Sequence, residues 1–205
     1  MDCNTYIIQD KMSLLIDPGL TQFLPALIEE MQRDGIDPKD IKLIANTHLH
    51  GDHCWANGDF KKLSGAEILL HPVQKEFGQV AAVKTSEFFG VSAVEFSEDR
   101  LMDNDKLNLG EMEVELIPSP GHSPDSVCYY LPKDKALFCG DVIFNQNTGR
   151  VDLPGGGADQ LKASIERLSQ LDIEYLLPGH MDIVVGRENV KNNFDFIKKY
   201  VLGNL

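Results

Sequence analysis

Apolar residues in this chain fall in short runs, each stopped by turn-forming residues. Thr5–Ile8 and Met12–Ile16 read as two strands, with Gln9-Asp10-Lys11 as the hairpin turn between them. Asp17-Pro18-Gly19 then breaks the chain. From Thr21, a candidate N-cap, Phe23, Leu24, Leu27, Ile28 and Met31 recur at helical spacing, and Gly35 is placed to end the helix. Lys42–Asn46 predicts a buried strand, a short helix follows around Cys54–Leu63, and Glu67–Leu70 predicts another strand. Pro72 suits the first turn of a helix reaching about Lys84. Thr85–Asp105 shows no clear period and is expected as a loop or irregular helix near the surface. Met112–Ile117, Ser126–Leu131, Lys135–Cys139 and Glu174–Leu177 predict strands. Asp159 can cap a helix with Leu161, Ile165 and Leu168 on one face, and a last helix carries Val190, Phe194, Ile197 and Val201. Hairpins and crossovers are mixed, which favours an α/β fold with helices packed outside sheets over an all-β barrel.

Composition narrows this picture. The 205 residues suit one domain. Hydrophobic residues at 42% and charged residues at 25% exclude a disordered, collagen-like or coiled-coil chain. Lys plus Arg is 19 against 32 Asp plus Glu, a net charge of −13. So acidic a chain lacks the basic footprint of a nucleic-acid or anionic-membrane binder. No window approaches the roughly 18–20 apolar residues of a membrane-spanning helix. The start, MDCNTYIIQDKMSLLI, has no basic stretch leading into an apolar one, so no signal peptide is expected. Cys3, Cys54, Cys128 and Cys139 form no CxxC pair and are expected as buried, reduced thiols in a cytoplasmic protein. Nothing in the sequence sets the oligomeric state.

The chemistry concentrates in histidine. Three of the six histidines lie in Thr47-His48-Leu49-His50-Gly51-Asp52-His53-Cys54. His122 follows Pro120-Gly121, His180 follows Pro178-Gly179, and Asp141 follows Gly140. Glu115–His122 and Tyr175–His180 thus share a strand followed by Pro-Gly-His, either an old duplication or one turn solution used twice. Each site sits just after a predicted strand, and ligands of open α/β sheets gather outside strand carboxyl ends. Neutral imidazole and carboxylate are usual ligands of zinc, iron and manganese. His48 and His50 at i, i+2 can reach one ion from an extended turn, while Asp52 and His53 face another direction, toward a second. Asp141 is the candidate bridge, since a carboxylate has two oxygens. Four such polar groups in one HxHxDH run would be costly to bury without a partner.

These residues resemble a known family. Thr47–His53 (THLHGDH) matches the THxHxDH motif of the metallo-β-lactamase superfamily. Asp17-Pro18-Gly19, Pro120-Gly121-His122, Gly140-Asp141 and Pro178-Gly179-His180 match its other landmarks in order, over roughly residues 4–192. The resemblance implies a single-domain, four-layer αββα sandwich spanning residues 1–205, with metals at one edge. It implies two divalent ions, zinc in the first place with iron or manganese as alternatives. His48, His50 and His122 would hold the first ion, Asp52, His53 and His180 the second, and Asp141 would bridge.

The branch follows from which landmarks are present. The main antibiotic-hydrolysing subclass has a cysteine at the Asp141 position, and the flavodiiron branch has a glutamate at the His50 position. Gly140–Gly156 looks like the glyoxalase II-like hydrolases in compact form, without their C-terminal helical glutathione-binding domain. The chain departs from that pattern at Cys54–Gly58, where a Gly-Gly is usual, and at Met181, where a glycine is often seen. The implied activity is hydrolysis of a small thioester or ester of the hydroxyacylglutathione type by a metal-bridging hydroxide, with Asp52 orienting it. A mononuclear-iron persulfide dioxygenase using His50, His122 and Asp141 is the alternative, and a non-catalytic metal-binding protein a further one. Arg150 reads as a contact to an anionic substrate, a loop anchor or a surface residue. Tyr6 and Trp55 are expected in the core rather than the cleft, and His71 as a structural residue.

Overall fold

Alternation along the strands decides which side chains meet. In Ser13–Ile16, Leu14 and Ile16 point to one core and Leu15 to another. In Val127–Leu131, Val127, Tyr129 and Leu131 face the first core, while Cys128 and Tyr130 face a third. A strand buried on both faces needs a layer on each side, and this produces four layers.

The computed structural model describes residues 2–102 and 105–205. In chain order these form β1 (Tyr6–Ile8), β2 (Ser13–Ile16), α1 (Leu24–Arg33), β3 (Ile41–Ala45), α2 (Gly51–Cys54) and α3 (Asn57–Ser64). Next come β4 (Glu67–Leu70), α4 (Pro72–Gly78), α5 (Thr85–Phe88), β5 (Arg100–Leu101), β6 (Lys106–Asn108) and β7 (Glu113–Pro118). The chain ends with β8 (Val127–Leu131), β9 (Ala136–Gly140), α6 (Ala158–Leu168), β10 (Tyr175–Pro178), β11 (Val184–Val185) and α7 (Arg187–Phe196). One mixed sheet has the order β1-β2-β3-β4-β5 and the other β11-β10-β9-β8-β7-β6. This is the expected αββα sandwich.

The central core lies between the sheets: Leu14, Ile16, Leu43 and Leu69 meet Val114, Leu116, Tyr129 and Phe138. Outside the first sheet, Leu15, Ile44 and Ile68 pack on Met31 of α1 and Phe60 of α3. Outside the second, Leu137, Cys139 and Leu176 pack on Leu161 and Ile165 of α6 and Phe194 of α7. Tyr6 joins the central core as expected, its ring 5.2 Å edge-on to Phe138. Cys54, Cys128 and Cys139 are buried free thiols, and Cys3 is half-buried. Among the described residues, no helix is long and apolar enough to cross a membrane.

Several elements differ from the pattern-based expectation, each for a local reason. The helix from Pro72 does not stop near Lys84. It continues through a π-helical stretch, Gln79–Lys84, into α5. Thr85 and Ser86 sustain it by bonding back to the carbonyls of Val80 and Ala82, which hides them from an apolar-period reading. The rest of the stretch expected to be irregular contains β5, and its positions 103–104 lie outside the described residues. The helix expected at Cys54–Leu63 is two, because α2 already starts at Gly51 on the carbonyl of His50. Thr21 does not cap α1; its hydroxyl donates to the Trp55 carbonyl across the chain. Gly157, not Asp159, is the N-cap of α6, with Asp159 in its first turn. His71 is structural as expected: its Nδ1 accepts the Val73 amide while Gln74 takes the His71 amide, a capping box for α4.

Asn46 couples this scaffold to the histidine run. Fully buried at the end of β3, it donates to the His53 carbonyl at 3.0 Å and exchanges bonds with Asn57. Its own carbonyl accepts Gln74 Nε2 at 2.7 Å and the Tyr129 hydroxyl at 2.8 Å. Asn46→Ala strands several buried polar groups at once and is expected to cost about 2–4 kcal/mol. Urea unfolding measures this, and a cost near zero would mean the network is dispensable.

Candidate metal centre

Four strand ends build the centre. β8 runs antiparallel to both β7 and β9, and β10 is parallel to β9, so β7, β9 and β10 all end at the same side of their sheet. β3 belongs to the other sheet, and its outgoing loop is tied across by the Val127 amide donating to the Thr47 carbonyl at 2.7 Å. The convergence is therefore across the mouth of a sandwich. After β3 come His48, His50, Asp52 and His53; after β7, His122; after β9, Asp141; after β10, His180.

These seven side chains form overlapping groups. His48, His50 and His122 make one, His48, His53 and Asp141 a second, and Asp52, His53 and His180 a third, with the donor atoms of each group within 4.8 Å of one another. His50 Nδ1 lies 3.0 Å from both His48 Nε2 and His122 Nε2. Asp141 stands between: Oδ1 is 3.4 Å from His53 Nε2, and Oδ2 is 3.6 Å from His122 Nε2 and 3.5 Å from His180 Nε2. Asp52 Oδ2 is 3.2 Å from His180 Nε2 and 4.0 Å from His53 Nε2. α2 is what separates the roles, since its helical turn swings Asp52 and His53 away from the extended His48–His50 segment.

The other ring nitrogens explain why the lone pairs point inward. His122 Nδ1 donates to the Arg150 carbonyl at 2.8 Å, and His53 Nδ1 to Asp17 Oδ2 at 2.9 Å. His48 Nδ1 faces the Thr47 hydroxyl at 3.2 Å, and that hydroxyl itself donates to Asp17 Oδ2 at 2.6 Å. In His48 and His122 the proton on Nδ1 leaves Nε2 as a donor of electrons, whereas around His53 the acidic groups outweigh burial and favour its charged form, whose Nε2 proton a metal would replace. Burial lowers the proton affinity of His48, His50 and His122, with His50 pushed down to about 3, so these rings are neutral. Burial works against the charge of Asp141, but the neighbouring His53 holds it below the usual carboxylate range. For Asp52, burial is likewise outweighed, here by the hydrogen bond from His180.

This donor set fits metal. His53 Nε2 and Asp141 Oδ1 are buried without any hydrogen-bond partner, a costly state for a polar atom unless a cation joins it. Three imidazole nitrogens crowded at 3.0 Å cannot all be satisfied by protons when two carry theirs on the far side. Neighbouring backbone is kept bare: a Cβ at Gly179 would sit 2.4 Å from Asp141 Oδ1, and one at Gly149 2.8 Å from His122 Nδ1. The His/Asp clusters are consistent with a dinuclear metal site.

A cavity of about 560 Å³ opens onto these groups. Trp55 lines it, together with Leu20, Phe89 and Leu153, while also packing on the small core cluster of Leu49, Cys54, Leu70 and Ala81, so it serves both core and cleft. The indole lies against Gly51, where no side chain blocks it. Arg150 also lines the cavity, but its guanidinium forms a fork with Asp152 at 2.6 Å on both arms. Its backbone carbonyl, not its charge, serves the centre, by orienting His122. Sequence reasoning missed three helpers. Asp17 and Thr47 orient rings, and Asp125, buried so that its carboxyl is pushed up to about 6, holds the Leu49 amide between the two histidines. Asp17 was visible as a chain break, and its position directly after an apolar strand was the available signal.

Comparison with known proteins agrees. The model of the metallo-beta-lactamase superfamily matches residues 1–180, and the chain belongs to that superfamily. A probable metallo-hydrolase of Methanocaldococcus jannaschii is 34% identical over 185 residues, 88% of each chain. A probable hydroxyacylglutathione hydrolase of Schizosaccharomyces pombe is 29% identical over 94% of this chain and 65% of its own length. Among solved structures, the BLEG-1 B3 metallo-beta-lactamase superposes with a TM-score of 0.77 at 27% identity, covering 97% of this chain and 92% of its own. A protein solved in a di-iron-bound form superposes at 0.75 and 26% identity, covering 96% and 92%.

Asp17→Asn places an amide where three donors converge. It is expected to weaken metal binding about 10–100-fold with the fold intact. Chelator competition followed by circular dichroism tests this; unchanged affinity would mean that Asp17 does not orient the rings.

Proposed function

We propose that this metallo-hydrolase holds two metal ions and cleaves a small thioester or ester, the bond class of hydroxyacylglutathione. The observation that carries the reading is Asp141, whose two oxygens reach toward both histidine groups. His48, His50 and His122 would hold one ion, Asp52, His53 and His180 the other, with Asp141 shared. Bound there, the ions supply an activated water and polarise the substrate carbonyl.

The chain does the rest. Asp52 is the most exposed of the seven and lines the cavity, so its anionic carboxylate is placed to orient the attacking water and take its proton. The hydroxyls of Thr85 and Ser86, which also line the cavity, bond to carbonyls of their own helix and are not set up as nucleophiles. Apolar walls keep bulk water from competing. The name of the fission-yeast relative supports a thioester. Asp52, His53 and His180 form a second group whose donor atoms could hold an ion, which supports the reading with two ions.

Elemental analysis of the purified protein is expected to find two metal ions per chain. Chelation should abolish thioester and ester turnover, and re-addition of metal should restore it. Asp141→Asn should lower turnover at least about 100-fold and reduce the metal content, with circular dichroism unchanged. One iron per chain, with oxygen uptake and sulfite release from glutathione persulfide, would replace this reading with the dioxygenase.

A further inference from the structure

The cavity beside the metal-binding groups has a wall of unusual consistency. Leu20, Trp55, Phe89, Val91, Phe144 and Leu153 form it. Of the polar side chains that line it outside the ligand set, the two hydroxyls and the guanidinium are already committed, leaving the Trp55 Nε1–H as a buried donor without a partner. Thr85 and Ser86 bond to Val80 and Ala82 carbonyls, and Arg150 is neutralised by Asp152. Arg150 is the one Lys or Arg among the described residues lining the cavity. A glutathione conjugate brings two carboxylates and two peptide groups, and these would find no free cation and few free donors here. Burying them unpaired is costly.

The mouth points the same way. Phe89 and Val91 are exposed while lining the cavity, and Phe88 and Val94 beside them are exposed as well. The Phe88 and Phe89 rings meet edge-on at 5.3 Å. An exposed apolar patch continuous with a catalytic cavity is a surface that a ligand covers. Resting on the hydrolase reading above, we propose that the substrate is a neutral thioester or ester whose acyl group is an apolar chain. That chain lies against Trp55 and leaves past Phe89 and Val91.

The test uses the metal-loaded protein and thioesters of a neutral thiol, from acetyl to octanoyl, with lactoylglutathione as the competitor. kcat/KM should rise about two- to fourfold per methylene, as expected for a chain being buried. Phe89→Ala should cost the octanoyl substrate about tenfold more than the acetyl one. A second readout is independent of turnover. Trp55 is the single tryptophan of the chain. Its fluorescence should report neutral methyl ketones of four to ten carbons, binding more tightly with length, with or without metal. Flat ketone binding, preference for lactoylglutathione, or equal losses along the series in Phe89→Ala would overturn the acyl-chain assignment. Graded ketone binding without turnover of any ester would overturn the hydrolase reading instead.

Discussion

The Asp17 carboxylate is removed from water and accepts three donors: the Thr47 amide at 2.7 Å, the Thr47 hydroxyl at 2.6 Å and His53 Nδ1 at 2.9 Å. A buried anion is tolerated only when its partners are well placed. Here the partners all come from the histidine run, so satisfying Asp17 and aligning the metal-binding rings are the same event. The backbone at Asp17 adopts φ +54, a left-handed conformation that aspartate accepts more readily than most residues. Its carbonyl also receives the Thr5 hydroxyl. β1, β2 and the loop after β3 are thereby locked to one another before any metal binds.

The two sheets supply what one sheet cannot. β3 delivers four of the seven groups, yet the other three come from the opposite layer, so the centre exists only where the sandwich closes. The two Pro-Gly-His turns show how closely that edge is packed. At Gly121 a Cβ would lie 2.3 Å from the Leu161 backbone and φ is +146, so α6 forces the glycine. At Gly179 the obstacle is the centre itself, Asp141 and His53. The shared letters therefore answer two different steric demands, and a common turn geometry does not explain both.

Strands of four to six residues with clear alternation were legible in the sequence, as were all seven candidate ligands, because HxHxDH and the Gly-flanked strand ends are local patterns. What escaped reading depends on non-local contacts. β5, β6 and β11 are two or three residues long and exist through their neighbours. The extension from Lys84 to Phe88 rests on side-chain bonds to the helix's own carbonyls. Trp55 could not be assigned to the cleft without knowing that Gly51 leaves it room, and Arg150 could not be discounted without seeing Asp152 in its fork.

The acidity of the whole chain and the chemistry of the cavity are separate matters. Net charge is −13, yet Asp52 and Asp141 are the carboxylates that face the cavity. Arg150 and Asp152 cancel at its rim. Electrostatics inside are therefore dominated by the metal-binding groups, and the apolar walls lower the local dielectric around them. A polarised carbonyl gains most from a cation when water is excluded, and apolar walls exclude it without adding competing charges. Under the proposed acyl-chain assignment, the walls that select the substrate would also strengthen the interaction that acts on it, coupling selectivity to chemistry through one physical property of the cavity.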